Sequence, residues 1–194
     1  IVDLKLHTYL AKSKKSVIIS TGMSSLSEIE ECIKIYKRYK NKNIILLHCV
    51  SNYPCSFKSL NMRALNVMQE KFSCVTGYSD HSVGHEASIL SVALGARVIE
   101  KHFTINKKLS GPDHKASALP GEFKKMVNEI RKAEIIIGEE IKECQKEEMQ
   151  MSKISRKSLT LNVSLKKNEV LKIDHLCLKR PGTGLFYRYI NDIL

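Results

Sequence analysis

Short apolar runs, starting near residues 16, 43, 72 and 96, punctuate the first two thirds of the chain. Ser16-Val-Ile-Ile-Ser20, Asn43-Ile-Ile-Leu-Leu-His48, Phe72–Thr76 and Ala96–Glu100 are too short for helices and carry β-branched or aromatic residues, as buried strands do. Segments with apolar residues at helical spacing separate them. These run to about Tyr39, from Leu60 to Glu70, from Glu86 to Leu94, and from Glu122 to about Ile137, the last after a long Gly/Pro loop, His102 to Pro120. Ser25 and Glu28 stand at capping-box spacing ahead of the first of these helices. Leu4–Ala11 reads as the end of a still earlier helix. Strands alternating with helices in this way predict βα units around a parallel sheet.

Four such units suit either an open, doubly wound sheet or one half of a closed (β/α)8 barrel. An open sheet gathers its functional residues at one switch point, whereas here all four loops after strands carry polar, chemically capable residues. That favours the barrel, and the expected architecture is its C-terminal half over residues 1–138. Residues 139–155 are charged and poor in β-branched residues and read as a linker. From Arg156 the texture changes. Arg156–Val163 alternates as a strand does, Asp174–Lys179 is a second short run, and Arg180-Pro-Gly-Thr-Gly184 is a tight turn, so residues 156–194 are expected to open a small β-rich domain with a frayed end from Tyr187.

With 43% hydrophobic and 27% charged residues, the chain has the composition of a globular protein. Its net charge of +12 comes mostly from lysines dispersed along the chain, without an Arg-rich stripe and with few aromatics. That pattern is a solvated surface rather than a nucleic-acid footprint, although a basic rim suits a small anionic substrate. The six cysteines form no CxxC pair, and most sit in apolar runs as buried free thiols do. No signal peptide or membrane-length apolar run is present, so a cytoplasmic protein without a membrane partner is expected. The chain starts at Ile1 without a methionine and inside an ongoing pattern, which reads as a fragment.

Two histidines focus the chemistry. His81 and His102 each follow the end of one of two successive strands, on the rim where barrel enzymes place their active sites, and each is flanked by an acid, Asp80 or Glu100. Carboxylates beside imidazoles commonly orient metal-ligating histidines. Two protein ligands leave positions open for water and substrate, which suits a catalytic Mn²⁺, Mg²⁺ or Zn²⁺. Ser20-Thr-Gly22 and Ser51-Asn-Tyr53 follow the first two strands and suit an anion cradle or ordinary loop capping. Asp113, in the longest loop, is a candidate for hydrogen-bonding a polyhydroxylated substrate, and His114 beside it is a third ligand or a surface residue. Arg180 suits an anion, an amide carbonyl, or simply a solvated turn.

The segments Ile19-Ser-Thr-Gly-Met23, Leu47-His-Cys-Val-Ser-Asn-Tyr-Pro54, Gly77-Tyr-Ser-Asp-His81, Glu100-Lys-His-Phe-Thr104, Gly111-Pro-Asp-His-Lys-Ala-Ser117 and Lys179-Arg-Pro-Gly-Thr-Gly184 occur in order over nearly the whole chain. Together they resemble the N-acetylneuraminate synthase family: sialic, legionaminic and related nonulosonate synthases with their spore-coat polysaccharide homologues. The resemblance implies a (β/α)8 TIM barrel followed by a small antifreeze-like (SAF) domain. It implies condensation of phosphoenolpyruvate with an N-acetylmannosamine-type sugar to a nonulosonic acid and phosphate, in a transferase of the EC 2.5.1 class. By the same resemblance His81 and His102 hold a divalent metal, Mn²⁺ before Mg²⁺ or Co²⁺, and Ser20, Ser51 and Ser79 hold phosphoenolpyruvate with Tyr53 beside them. Tyr53 and Asp113 serve the sugar and catalysis, and Arg180 reaches a partner subunit's sugar in a domain-swapped homodimer.

Three departures qualify the match. The front half of the barrel, with the family's general-base glutamate and phosphate-binding lysines, is missing; Ser51 stands where some members carry Asn; and Ala118-Leu119 replaces Leu followed by a polar residue. A half barrel with open edges implies a chain that is not catalytically competent alone. The rival readings are a metal-dependent barrel hydrolase using the same histidines and a non-catalytic remnant.

Overall fold

A computed structural model describes all 194 residues. The chain divides into two compact units, Ile1–Gly138 and Glu139–Leu194.

The first unit is built on a four-stranded, all-parallel sheet of β1 (Val17–Ser20), β2 (Ile44–Cys49), β3 (Val75–Asp80) and β4 (Val98–Lys101), in that spatial order. Helices α1 (Leu4–Ser13), α2 (Leu26–Arg38), α3 (Ala64–Lys71), α4 (Glu86–Ala93) and α5 (Pro120–Ile137) flank or connect the strands. The predicted alternation is therefore present. Helix α2 starts where Ser25 caps it: the Glu28 carboxylate accepts from the Ser25 backbone N–H at 2.7 Å, closing the capping box. Its buried residues, Ile29, Cys32, Ile33 and Tyr36, recur at the spacing of one helical face and pack with Ile19, Leu46, Met68 and Phe72 into a core. Ala11 of α1 joins that core, and His7 meets the Tyr36 hydroxyl at 2.9 Å. Burial pushes the Tyr36 phenol up to about 12, so it donates to His7 Nδ1.

Three boundaries differ from the sequence reading. β3 begins and ends later than the run Phe72–Thr76, because its polar C-terminal half pairs on both sides, with β2 through Cys49↔Ser79 and with β4 through Asp80↔Lys101. β4 is likewise displaced to Val98–Lys101. Helix α3 starts only at Ala64, the residues before it forming a 3-10 turn at Phe57–Ser59. Between β3 and β4 the backbones leave no room for a side chain at Gly77: a Cβ there would lie 2.3 Å from the Val98 carbonyl oxygen and 2.6 Å from Leu47 Cδ2. On β1, Ile19 is buried while its neighbour Ile18 is 55% exposed, so one sheet face carries core and the other lies open at that strand.

In the second unit the expected linker is not featureless: α6 (Met149–Ser155) forms after a 3-10 turn. An antiparallel pair, β5 (Ser158–Leu161) and β6 (Leu176–Lys179), follows, narrower than the alternating run that predicted it. The tail expected to fray instead ends in α7 (Ile190–Ile193), with Ile190 buried. The Arg180–Gly184 turn docks on this unit through Ser158 Oγ to Pro181 O at 2.7 Å and Gly182 N–H to Lys153 O at 2.9 Å. Gly182 lies so close to Arg156 that a Cβ would fall 2.5 Å from the Arg156 Cβ. No helix in the chain is long and apolar enough to cross a membrane.

Two predictions follow from these contacts. Gly77→Ala forces β3 from β4 or overpacks Leu47, a cost of about 1–3 kcal/mol, and should lower the thermal midpoint by roughly 2–12 °C; an unchanged midpoint would show that the strand pair yields freely. Burial holds the His7 imidazole below its ordinary pKa. The stability this neutral imidazole contributes is therefore complete above about pH 6.5 and is lost as the pH falls through the depressed folded value. Between about pH 7.5 and about pH 5.5 the wild-type midpoint should fall further than that of His7→Gln, and thermal melts at the two pH values measure the gap.

Candidate active site

The in-register pairing of four parallel strands brings their C-terminal ends to one rim, and each end delivers polar side chains there. At the β1–β2 side Ser20 Oγ lies 2.8 Å from Cys49 Sγ. Gly22 holds the next turn close: a Cβ on it would stand 2.2 Å from Ser51 Oγ and 2.8 Å from Cys49 Sγ. Ser51 and Cys49 thus fill the space that glycine leaves, and Ser20, Ser51 and the Cys49 thiol form one small cluster.

The β3–β4 side holds a second, denser cluster. Ser79 and Glu100 are cross-strand partners, and the Ser79 hydroxyl donates to Glu100 Oε1 at 2.6 Å. His81, 7% exposed, follows β3; its Nδ1 is 2.8 Å from the Val50 carbonyl and its Nε2 is 3.2 Å from Ser79 Oγ. A carbonyl only accepts, so the proton resides on Nδ1, and Nε2 turns its lone pair towards Ser79. The Ser79 proton is already committed to Glu100. Nε2, Ser79 Oγ and the Glu100 carboxylate therefore form an electron-rich group with too few protons of its own. The two imidazoles stand edge to face, ring centres 5.4 Å apart. The Tyr53 ring lies over His81 at 4.1 Å and meets the edge of His102 at 5.2 Å, joining the two. Asp113 Oδ2 is 4.0 Å from His102 Nδ1. Burial, then the neighbouring Cys49, Asp113 and Glu100, push the Tyr53 phenol above its ordinary range, so it remains a hydrogen-bond donor at neutral pH.

The candidate residues of the first unit thus meet on one rim: Ser20 with Ser51, and Ser79, His81, His102, Tyr53 and Asp113 together. One expectation fails. The acids flanking the histidines do not orient them: Asp80 bonds Ser82, Ser88 and Lys101, Glu100 bonds Ser79, and the partner that orients His81 is a main-chain carbonyl. Strand alternation turns Asp80 to the face opposite His81, while Glu100, two residues before His102 and on its face, is taken up by the Ser79 hydroxyl across the ladder. His114 bonds Thr104 Oγ1 at 2.8 Å and ties down its own loop. That loop is closed at its base by Thr104 N–H to Ala118 O at 2.9 Å and Ala118 N–H to His102 O at 2.8 Å. Arg180 belongs to the second unit, where its Nε donates to Ser155 O at 2.9 Å.

The sequence reading missed Cys49 and Lys101. Cys49 looked like core. Lys101, a lysine within a strand and the register partner of Asp80, was the detectable signal, because a buried strand-borne lysine needs an acid partner.

The rim gathers donor types of the kind that suit a divalent cation: two imidazoles, a hydroxyl and a carboxylate.

Comparison with known proteins fits this geometry. The chain is 42% identical over 187 residues to the N,N'-diacetyllegionaminic acid synthase of Campylobacter jejuni, covering 95% of this chain and 56% of that one. It is 40% identical over 190 residues to the enzyme of the same name from Legionella pneumophila, covering 96% and 53% respectively. The crystal structure of the N-acetylneuraminic acid (sialic acid) synthetase of Leptospira borgpetersenii, in complex with citrate, superposes with a TM-score of 0.72 at 40% identity, over 77% of this chain and 52% of that one. The parallel curled sheet is accordingly a half barrel of the kind these synthases contain. The chain spans a little over half the length of the curated relatives it matches. The family model named NeuB matches residues 1–142, and with these relatives it establishes that the chain belongs to the NeuB family of nonulosonic acid synthases.

Proposed function

We propose that this chain supplies the C-terminal half of the active-site rim of a metal-dependent synthase that condenses phosphoenolpyruvate with an N-acetylmannosamine-type sugar. The observation that carries the proposal is the meeting of His81, His102, Tyr53, Ser79 and Asp113 on one rim of a parallel half barrel in a chain of this family. In the reaction, C3 of phosphoenolpyruvate bonds to the sugar aldehyde carbon and the aldehyde oxygen takes a proton. Water adds to C2 and gives up the proton that the aldehyde oxygen takes, the C2–O bond to phosphate breaks, and C2 is left as the keto carbon of a 2-keto acid, separated from the former aldehyde carbon by the C3 methylene.

When bound at His81 and His102, Mn²⁺, Mg²⁺ or Co²⁺ supplies Lewis acidity for the aldehyde and holds the water that adds. The chain's own residues do the rest. Ser20 and Ser51, gathered around Gly22, supply hydroxyls for the anionic enolpyruvate, and Ser79 joins them by turning its proton from Glu100 to the substrate. Val50 keeps a proton on His81 Nδ1, so the neutral ring presents its lone pair at Nε2. Tyr53 covers both imidazoles and, with its phenol kept protonated, donates to substrate oxygen. Asp113, beside His102, accepts from sugar hydroxyls. Residues 156–194 form the start of an antifreeze-like domain whose Arg180 reaches the N-acetyl group of a sugar bound in the partner subunit of a homodimer.

Phosphate release from phosphoenolpyruvate by the protein that carries this chain should require both a divalent metal and an N-acetylated hexosamine. His81→Ala or His102→Ala should each cut it by about 100-fold or more, with circular dichroism unchanged. Release that ignores the sugar, or full activity in either variant, refutes the assignment. Arg180→Ala should raise the KM for the sugar by roughly 10- to 100-fold while moving that for phosphoenolpyruvate far less; equal effects on both would place the arginine elsewhere.

A further inference from the structure

Behind the two histidines lies a buried charge pair that the chemistry above does not use. Asp80 and Lys101 are register partners at the ends of β3 and β4, each one residue before a histidine. Their side chains are 0% and 3% exposed, with Lys101 Nζ 3.0 Å from Asp80 Oδ2. The carboxylate is fully engaged: Oδ1 accepts from the Ser82 N–H at 2.9 Å and the Ser82 hydroxyl at 2.7 Å, and Oδ2 accepts from the Ser88 hydroxyl of α4 at 2.6 Å besides the lysine. Lys101 Nζ also donates to the Ser82 carbonyl at 2.5 Å.

The consequence concerns His81. Both residues flanking it, Asp80 and Ser82, are gripped by one ammonium group, and that ammonium is carried by the residue that precedes His102. Neither acid next to the histidines touches an imidazole, so side-chain contacts from that quarter do not fix where the rings stand. We propose that Asp80 and Lys101 are positioning residues: the pair fixes the main chain on either side of His81 to the strand that carries His102, and so sets the separation of the two imidazoles at the value a shared divalent cation needs. The inference rests on the reading of His81 and His102 as metal ligands. The bond to Ser82 answers a second N–H of the buried ammonium, as stability requires, but the place of that carbonyl in the chain also carries the lysine's grip past His81. The second bond is the one that reaches across the histidine.

Stability and positioning separate in a double variant. Removing one partner leaves a buried charge unpaired and is expected to destabilise, whereas a neutral pair of similar volume is commonly tolerated. Asp80→Asn, Lys101→Met and the two combined are compared with wild type as the full chain, titrating Mn²⁺ and reading free Mn²⁺ by electron paramagnetic resonance, with a thermal melt on each. Each single variant should weaken Mn²⁺ binding by about 10- to 100-fold, the range for groups that orient ligands without touching the metal, and lower the midpoint. The double variant should regain the midpoint and not the affinity, because the Ser82 carbonyl has lost its donor. Recovery of both, or Mn²⁺ binding unchanged in either single variant, would overturn the positioning role and leave the metal reading intact. Absence of Mn²⁺ binding by wild type would overturn the metal reading itself and this inference with it.

Discussion

Strand β3 is buried from Thr76 to Asp80, and four of those five side chains carry a polar group. A buried strand with that content needs partners for its polar groups, since an unpartnered polar or charged atom in the interior is costly, and of these groups the Tyr78 hydroxyl is left without one. β4 supplies partners in register: Glu100 opposite Ser79, Lys101 opposite Asp80. A slip of one residue would turn Glu100 and Lys101 to the wrong faces and leave the Asp80 carboxylate buried without its cation. The polar pairing therefore specifies the register of the two strands. The rim depends on it, because His81 and His102 inherit their positions from that register.

Gly77 makes the same point from the side of sterics. The approach of β3 to β4 at the Val98 carbonyl excludes any Cβ, and it lies only two residues before the Ser79–Glu100 bond. Backbone proximity, the hydroxyl–carboxylate bond and the buried ion pair follow one another towards the rim, each narrowing the positions available to the next. By the time the chain reaches His81, the only freedom left is the ring's own rotation. The Val50 carbonyl and the face of Tyr53 then remove it.

The alternation of elements was legible because helix α2 and strands β1 and β2 are apolar on the faces they bury: Ile29, Ile33 and Ile19 declare themselves. The limits of β3 were not, because a strand that buries Thr, Ser and Asp has no hydrophobic signature, and its apolar lead-in, Phe72 to Cys74, lies outside the strand. The site residues were legible as types at strand ends. What the acids near them do was misread: Asp80 and Glu100 read in sequence as partners of the histidines, but pleating sends Asp80 to the face opposite His81, where Lys101 meets it, and Glu100, on the face of His102, is held by Ser79 across the ladder. For Asp80 and His81, sequence adjacency suggested a contact that strand geometry forbids. The contact that exists, Asp80 with Lys101, spans two strands and a helix and becomes visible only once their register is known.

The two faces of the β3–β4 ladder divide the work between them. One face gathers Ser79, Glu100 and the lone pair of His81 Nε2 into a proton-poor group, which is unfavourable in an empty interior and favourable around a cation. The opposite face gathers Asp80, Lys101, Ser82 and Ser88 into a network whose charges and hydrogen bonds close on themselves. Only the first leaves acceptors without donors, as the proposed metal site requires. The second is complete without a ligand, and that completeness gives it the stiffness to hold the first in place. A site that left both faces unsatisfied would cost the fold too much. One that satisfied both would have no affinity for a metal. The alternation of side chains along two paired strands lets a few residues meet both requirements at once.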